Sequence, residues 1–187
     1  MCGICVSLSF RVSSAANLRQ SFAIVKNLVT RVKRRGPDHF QNVSFSFYDI
    51  LDICLTSSVL QLRGSSLSQQ PFTDGSGNYL LWNGEIFDGD MYKESESDTK
   101  ILRPFAFVFY QNNGLLWFGR DIFGRRSLLW KADTKSFHLC SLSNLEEEES
   151  SVVSLLSVPT LYVAPVGELL ESFLVSFVRI RSCASGV

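Results

Sequence analysis

Apolar residues alternate with polar ones along most of this chain, and near the start they switch to the spacing of a helix. Residues 3–10 read as a buried first strand, which would hold Cys2 at the mouth of a sheet. Between residues 15 and 33, Leu18, Phe22, Val25, Leu28, Val29 and Val32 recur at helical spacing and predict an amphipathic helix. Gly36-Pro37 ends it, because proline cannot continue the hydrogen-bond ladder and glycine accepts left-handed geometry. A β-rich stretch follows from Val43 to Leu62, with aromatic and branched residues at alternating positions. Asp74–Asn78 predicts a turn into a strand at Tyr79–Trp82. Phe105–Tyr110, the turn Gln111–Gly114 and Leu115–Phe118 predict a β-hairpin, with further strands at Ser127–Lys131 and Phe137–Ser141. Glu146–Glu149 and the serines after it predict an exposed acidic loop. Periodicity alone thus predicts one α+β domain with an extensive antiparallel sheet, in packed layers.

Composition narrows the class. The chain has 187 residues, enough for one domain with a substantial core, and is 45% hydrophobic, 12% aromatic and 19% charged. Basic and acidic residues balance at 18 each, which gives no argument for nucleic acid or an anionic membrane as partner. Arg31, Lys33, Arg34 and Arg35 do cluster, and the expected reading is a solvated helix end favoured by the helix dipole. The longest apolar run, near Leu169–Ile180, is interrupted by Glu171 and is too short to span a bilayer. No charged n-region precedes an apolar h-region, so a cytoplasmic protein is expected. The five cysteines (Cys2, Cys5, Cys54, Cys140 and Cys183) are odd in number and scattered, and are expected to be reduced thiols.

Candidate chemistry begins at Cys2. Removal of Met1, favoured when the next residue is small, would leave a cysteine carrying both a thiol and a free α-amine. That amine has an ordinary pKa of about 7.7–8.0, so near neutral pH it can take the thiol proton directly or through one water. Cys2-Gly3-Ile4-Cys5 also has the spacing of a redox or metal pair. No second pair supports that alternative, only His39 and His138 could add imidazole ligands, and in a strand Cys2 and Cys5 point to opposite faces. No metal or other cofactor is expected.

Four motifs occur in order: Met1-Cys2-Gly3-Ile4, Arg35-Gly36-Pro37-Asp38, Trp82-Asn83-Gly84-Glu85-Ile86-Phe87, and Gly119-Arg120-Asp121 with Gly124. Together they resemble the class II glutamine amidotransferase domain, the N-terminal nucleophile glutaminase half of asparagine synthetases. The resemblance runs over residues 1–143 and leaves 144–187 as an acidic loop and an unassigned C-terminal segment. It implies an N-terminal nucleophile hydrolase fold, a four-layer αββα sandwich of two antiparallel sheets. It also implies hydrolysis of glutamine to glutamate and ammonia, with Cys2 attacking the side-chain amide to form a thioester. Asn83 and Gly84 match the positions that supply oxyanion donors, although Asn-Gly taken alone reads as an ordinary tight turn after a strand. Asp98 matches an aspartate that binds the substrate ammonium, and a helix N-cap is the other reading of Ser97-Asp98-Thr99. Glu85 stands beside the oxyanion pair. Arg63 is the candidate for the substrate carboxylate, since guanidinium meets carboxylate in a bidentate fork, but an odd offset from the family's arginine would turn it to the other strand face. Arg120-Asp121 and Gly124 are expected to be scaffold with a buried ion pair, and Arg35–Asp38 a corner between helix and strand.

Two departures qualify the resemblance. Arg103-Pro104 joins Leu102 directly to Phe105, where the family inserts further helix, so one covering segment is apparently deleted and apolar sheet should be exposed. No pyrophosphate loop of a synthetase domain follows, so the chain is not expected to make asparagine alone. Ammonia would then pass to a synthetase module or acceptor outside the chain. The competing expectation is a catalytically inactive family member that acts as a binding or regulatory protein.

Overall fold

A computed structural model describes residues 2–11, 26–62, 65–84, 104–132, 136–142, 156–157 and 161–166. The strands are β1 (Gly3–Phe10), β2 (His39–Phe47), β3 (Leu51–Val59), β4 (Phe72–Thr73), β5 (Tyr79–Gly84), β6 (Phe105–Tyr110), β7 (Leu115–Arg120), β8 (Leu129–Ala132), β9 (Ser136–Cys140), β10 (Leu156–Ser157) and β11 (Leu161–Pro165). They form two antiparallel sheets, of order β10-β8-β9-β1-β3-β2 and β11-β7-β6-β5-β4. Helix α1, described over 26–33, covers part of the first sheet. The α+β sandwich expected from the sequence is therefore present.

Alternation decides which residues face the interior. Ile4, Val6 and Leu8 of β1, Leu51, Ile53 and Leu55 of β3, and Phe137 and Leu139 of β9 line one wall of the core. Leu81 of β5, Ala106, Val108 and Tyr110 of β6, and Leu116 and Phe118 of β7 line the other. Each is fully or nearly fully buried, and burial of one such side chain contributes roughly 1.5–3 kcal/mol. The first strand is central, between β3 and β9, in keeping with its reading as a buried strand.

The sheets' outer faces differ in chemistry. The outer face of the first sheet is polar: Cys5, Ser7 and Ser9 of β1 pair with Thr56, Cys54 and Asp52 of β3 and with Cys140, His138 and Ser136 of β9. Even so, Ser7, Thr56, Ser136 and His138 are buried. On the second sheet one outward row reads Phe72, Leu80, Phe109, Trp117 and Val163, strand by strand. Phe72 is 59% exposed and Val163 48% exposed, so this apolar face is open at its edges. Trp82 stacks on Phe105 in the next row, ring centroids 5.4 Å apart. Exposure on this face is concentrated on the edge strands β4 and β11.

Several features differ from those the pattern predicts, and β7, β8 and β9 are also displaced by one or two residues at their ends. β2 begins at His39 rather than Val43, because Pro37 and Asp38 already join the β3 backbone at Val59 and start the pairing early. β5 runs on to Gly84, because Asn83 and Gly84 pair with Ala106 and Phe105 and are ladder positions, not a turn. Gly36 has no left-handed backbone. It is needed for close approach: a Cβ there would lie 2.4 Å from the Val59 carbonyl carbon. The helical residues before 26 and the acidic loop Glu146–Glu149 lie outside the described residues.

Candidate active site

The residue after Cys2 is held from both sides. The Gly3 amide donates to Ser58 Oγ at 3.1 Å, and that hydroxyl donates to the Val32 carbonyl of α1 at 2.7 Å. A Cβ on Gly3 would sit 2.6 Å from Ser58 Oγ and 2.8 Å from the Val32 oxygen, so a glycine is required here. The next amide, Ile4, donates to Ser141 Oγ at 3.1 Å, while the Ser141 amide donates to the Ile4 carbonyl at 2.9 Å. These contacts fix the direction in which β1 begins, and with it Cys2. Cys2 itself is half-buried, and its thiol points at the Leu60 carbonyl, 3.8 Å away.

The Arg35–Asp38 corner builds the wall beside that thiol. Gly36 lets the corner touch the β3 backbone, and the Asp38 amide donates to the Val59 carbonyl at 3.1 Å. The Asp38 carboxylate accepts the Gln61 amide at 2.7 Å, which sets the path of Leu60 and Gln61 past Cys2.

Arg35 is a correction to the solvated basic run. It leaves the helix end and donates from Nη1 to the Ser141 carbonyl at 2.9 Å. Burial pulls its guanidinium below the ordinary value, Cys140 and Cys2 push it back up, and Arg126 lowers it further. The Arg35 charge thus lies within electrostatic reach of the Cys2 sulfur. Its partner is 106 positions away in the chain, so no local pattern could have singled it out.

Asn83 stands at the same end of the sandwich as Cys2. Phe45 packs against Tyr79 and Tyr110, and Phe47 against Gly114, so the Phe10–Leu51–Phe47 end of the first sheet lies over the Tyr79–Tyr110 end of the second. The opposite ends, carrying Cys2 and Asn83, therefore coincide. Alternation with Tyr79 and Leu81 turns Asn83 inward, toward the sheet that Cys2 leads. Its side chain is 1% exposed, and Nδ2 has no hydrogen-bond partner among the described residues. A buried amide donor left unpaired costs about 1–3 kcal/mol, so it marks a place where stability has been given up. Gln70 supports the strand: its Oε1 accepts the Trp82 amide at 2.8 Å.

Arg63, Glu85 and Asp98 lie outside the described residues. The buried ion pair expected at Arg120-Asp121 involves a different arginine. Asp121 pairs with Arg125 at 3.2 Å, while the Arg120 guanidinium packs over Gly124. Cys5 faces Cys140 across the strands. Among the described residues no three His, Cys, Asp or Glu side chains converge as a metal site.

Two facing antiparallel sheets, led by a cysteine and carrying an inward asparagine at the same end, define an α+β sandwich with one candidate reaction centre. No family model matches the chain. Among curated proteins it is 40% identical over 167 residues to asparagine synthetase domain-containing protein 1 of Homo sapiens, covering 76% of this chain and 25% of that protein. The Gallus gallus protein of the same name is 34% identical over 182 residues, covering 85% of this chain and 28% of that protein. A Drosophila melanogaster asparagine synthetase domain-containing protein is 30% identical over 179 residues, covering 81% of this chain and 30% of that protein. The chain belongs to this asparagine synthetase domain-containing family. It spans about a quarter of the length of the curated relatives it matches. No helix among the described residues is long and apolar enough to cross a membrane.

Proposed function

We propose that this chain is a glutaminase domain that hydrolyses the side-chain amide of glutamine and releases ammonia for a synthetase module or other acceptor. The observation that carries the reading is the buried, unpartnered Nδ2 of Asn83, at the end of the sandwich where Cys2 begins β1. After loss of Met1, the Cys2 α-amine takes the thiol proton, and the sulfur attacks the amide carbon. The tetrahedral oxyanion is met by Asn83 Nδ2 and the Gly84 amide, neighbours on β5 whose strand pairing favours low reorganisation. Collapse of the intermediate breaks the carbon–nitrogen bond, and the proton held by the α-amine leaves with ammonia. Water then cleaves the thioester to give glutamate. Arg63, Glu85 and Asp98 bind the α-carboxylate and ammonium of the substrate. The four described cysteines are free thiols, in keeping with a reducing, cytoplasmic setting.

A second reading has its own observation. The exposed apolar side chains at the edges of the second sheet, Phe72, Leu161 and Val163, suit a family member that binds rather than catalyses. Glutamate release from glutamine, measured on protein whose N-terminus is verified as Cys2, separates the two. Release that disappears in Cys2→Ala supports the glutaminase. A folded, processed protein with no release supports the binding protein, and release that survives Cys2→Ala overturns the proposed nucleophile.

A further inference from the structure

Cys5 and Cys140 are a second cysteine site, separate from Cys2. They lie directly opposite each other on β1 and β9. The Ser141 amide donates to the Ile4 carbonyl, the bond that flanks a non-hydrogen-bonded pair in an antiparallel ladder, so Cys5 and Cys140 occupy the closer of the two kinds of pair. In such a pair the Cα atoms are about 4.5 Å apart, inside the span of about 4.4–6.8 Å that a disulfide bridges. Both side chains point to the outer face, where Leu28 and Val32 of α1 and Leu142 cover them. Cys54 shares that face but stands opposite Ser7, on the diagonal from Cys5. Diagonal neighbours are about 7–8 Å apart, beyond what a disulfide spans without backbone movement.

We propose that Cys5 and Cys140 are a redox-modification site, closed to a cross-strand disulfide by a small two-electron oxidant of the peroxide class. Burial selects the oxidant: both residues are under 5% exposed (3% and 4%), and a small peroxide reaches them where a bulky disulfide reagent does not.

The two thiols are unlike. The hydrogen bond from Cys5, the amides of Leu142 and Ser141, and the Arg35 charge draw Cys140 below the ordinary thiol value despite its burial. The same hydrogen bond, then burial, push Cys5 well above it. Cys140 is therefore the attacking thiolate. It displaces hydroxide from hydrogen peroxide, breaking the O–O bond and becoming a sulfenic acid; the hydroxide takes up the thiol proton as water. Cys5 then attacks that sulfur, breaking the S–O bond, and its own proton leaves with the oxygen as a second water. Two thiols are oxidised and one peroxide is reduced.

The full chain is treated with hydrogen peroxide, acid-quenched, alkylated in denaturant and mapped by mass spectrometry. The expected product joins the Cys5 and Cys140 peptides, has lost two alkylatable thiols that dithiothreitol restores, and leaves Cys54 alkylated. Its thermal midpoint lies above that of the reduced protein, by several degrees. Cys140→Ser abolishes the link and leaves Cys5 alkylatable. Mapping of the unsubstituted protein decides the matter even where that variant fails to fold. A link from Cys5 or Cys140 to any other cysteine overturns the proposal. So does oxidation confined to Cys2 while Cys5 and Cys140 remain fully alkylated.

Discussion

The Ser58 hydroxyl stands directly over Gly3, close enough that a methyl group on Gly3 would lie 2.6 Å from it. That hydroxyl accepts the Gly3 amide and donates to the end of α1, so three elements meet at the residue that follows Cys2. Gly3→Ala should therefore cost about 1–3 kcal/mol by overpacking. Ser58→Ala, which leaves a buried amide unpaired, should cost about 1–3 kcal/mol. Urea unfolding measures both, and a neutral Gly3→Ala would show that α1 does not press on β1.

Asn83→Ala should separate stability from activity. Its amide donor has no partner among the described residues, so truncation removes an unsatisfied buried group and leaves the thermal midpoint level or higher. Loss of one oxyanion donor should lower kcat by about 100- to 1,000-fold. A large fall in stability with kcat intact would mean that Asn83 is a packing residue.

Arg35→Ala removes the charged donor to the Ser141 carbonyl. A hydrogen bond to a charged group contributes about 1.5–3 kcal/mol, and a loss at the lower end is expected because the site is only partly buried. The rate of glutamate release is the discriminating readout. A rate that is unchanged after Arg35→Ala, with stability lowered, would confine Arg35 to a structural part.

Asp121 makes part of the stability depend on pH. Burial alone would raise its carboxyl, but hydrogen bonds from Arg125 and from the amides of Phe123 and Phe105 outweigh that and hold it below the ordinary range. A depressed carboxyl contributes stability that is present above the unfolded value of about 3.9 and lost as pH falls through the folded value. Asp121→Asn should thus be less stable by about 1–3 kcal/mol at neutral pH, with the gap closing below about pH 4. Urea midpoints for the two proteins across that range test it; a constant gap would contradict the assignment.

The open face of the second sheet predicts a solubility effect. Leu161 and Val163 on the outer strand β11 are 57% and 48% exposed. Lysine at both positions should change stability by only about 0.5 kcal/mol while reducing concentration-dependent light scattering. Marked destabilisation would show that this face is covered in solution.

Much of the sandwich is legible in the sequence because alternation is a local signal. Ile4, Val6 and Leu8, or Ala106, Val108 and Tyr110, declare a strand and its inward side from six or eight residues. Cys2 and Asn83 were legible as candidates by residue type and motif. That they share an end was not, because it depends on how Phe45 and Phe47 seat against the other sheet. Arg35 hid within a basic run, and Cys5 gives no sign of Cys140 until the register of two strands far apart in the chain is known. Gly36 was recognised, but for a left-handed turn rather than for its contact with Val59.

The central place of β1 has a consequence for biosynthesis. The strand made first pairs with β3, but its other edge waits for β9, which leaves the ribosome more than a hundred residues later. At roughly 5–20 residues per second that delay is on the order of ten seconds. Throughout it the β9-facing edge of β1 is unpaired, and aminopeptidase has access to the start of the chain. If Met1 is removed, as the proposed glutaminase reading requires, the removal would precede closure of the first sheet, and slower synthesis before β9 would lengthen the window for it.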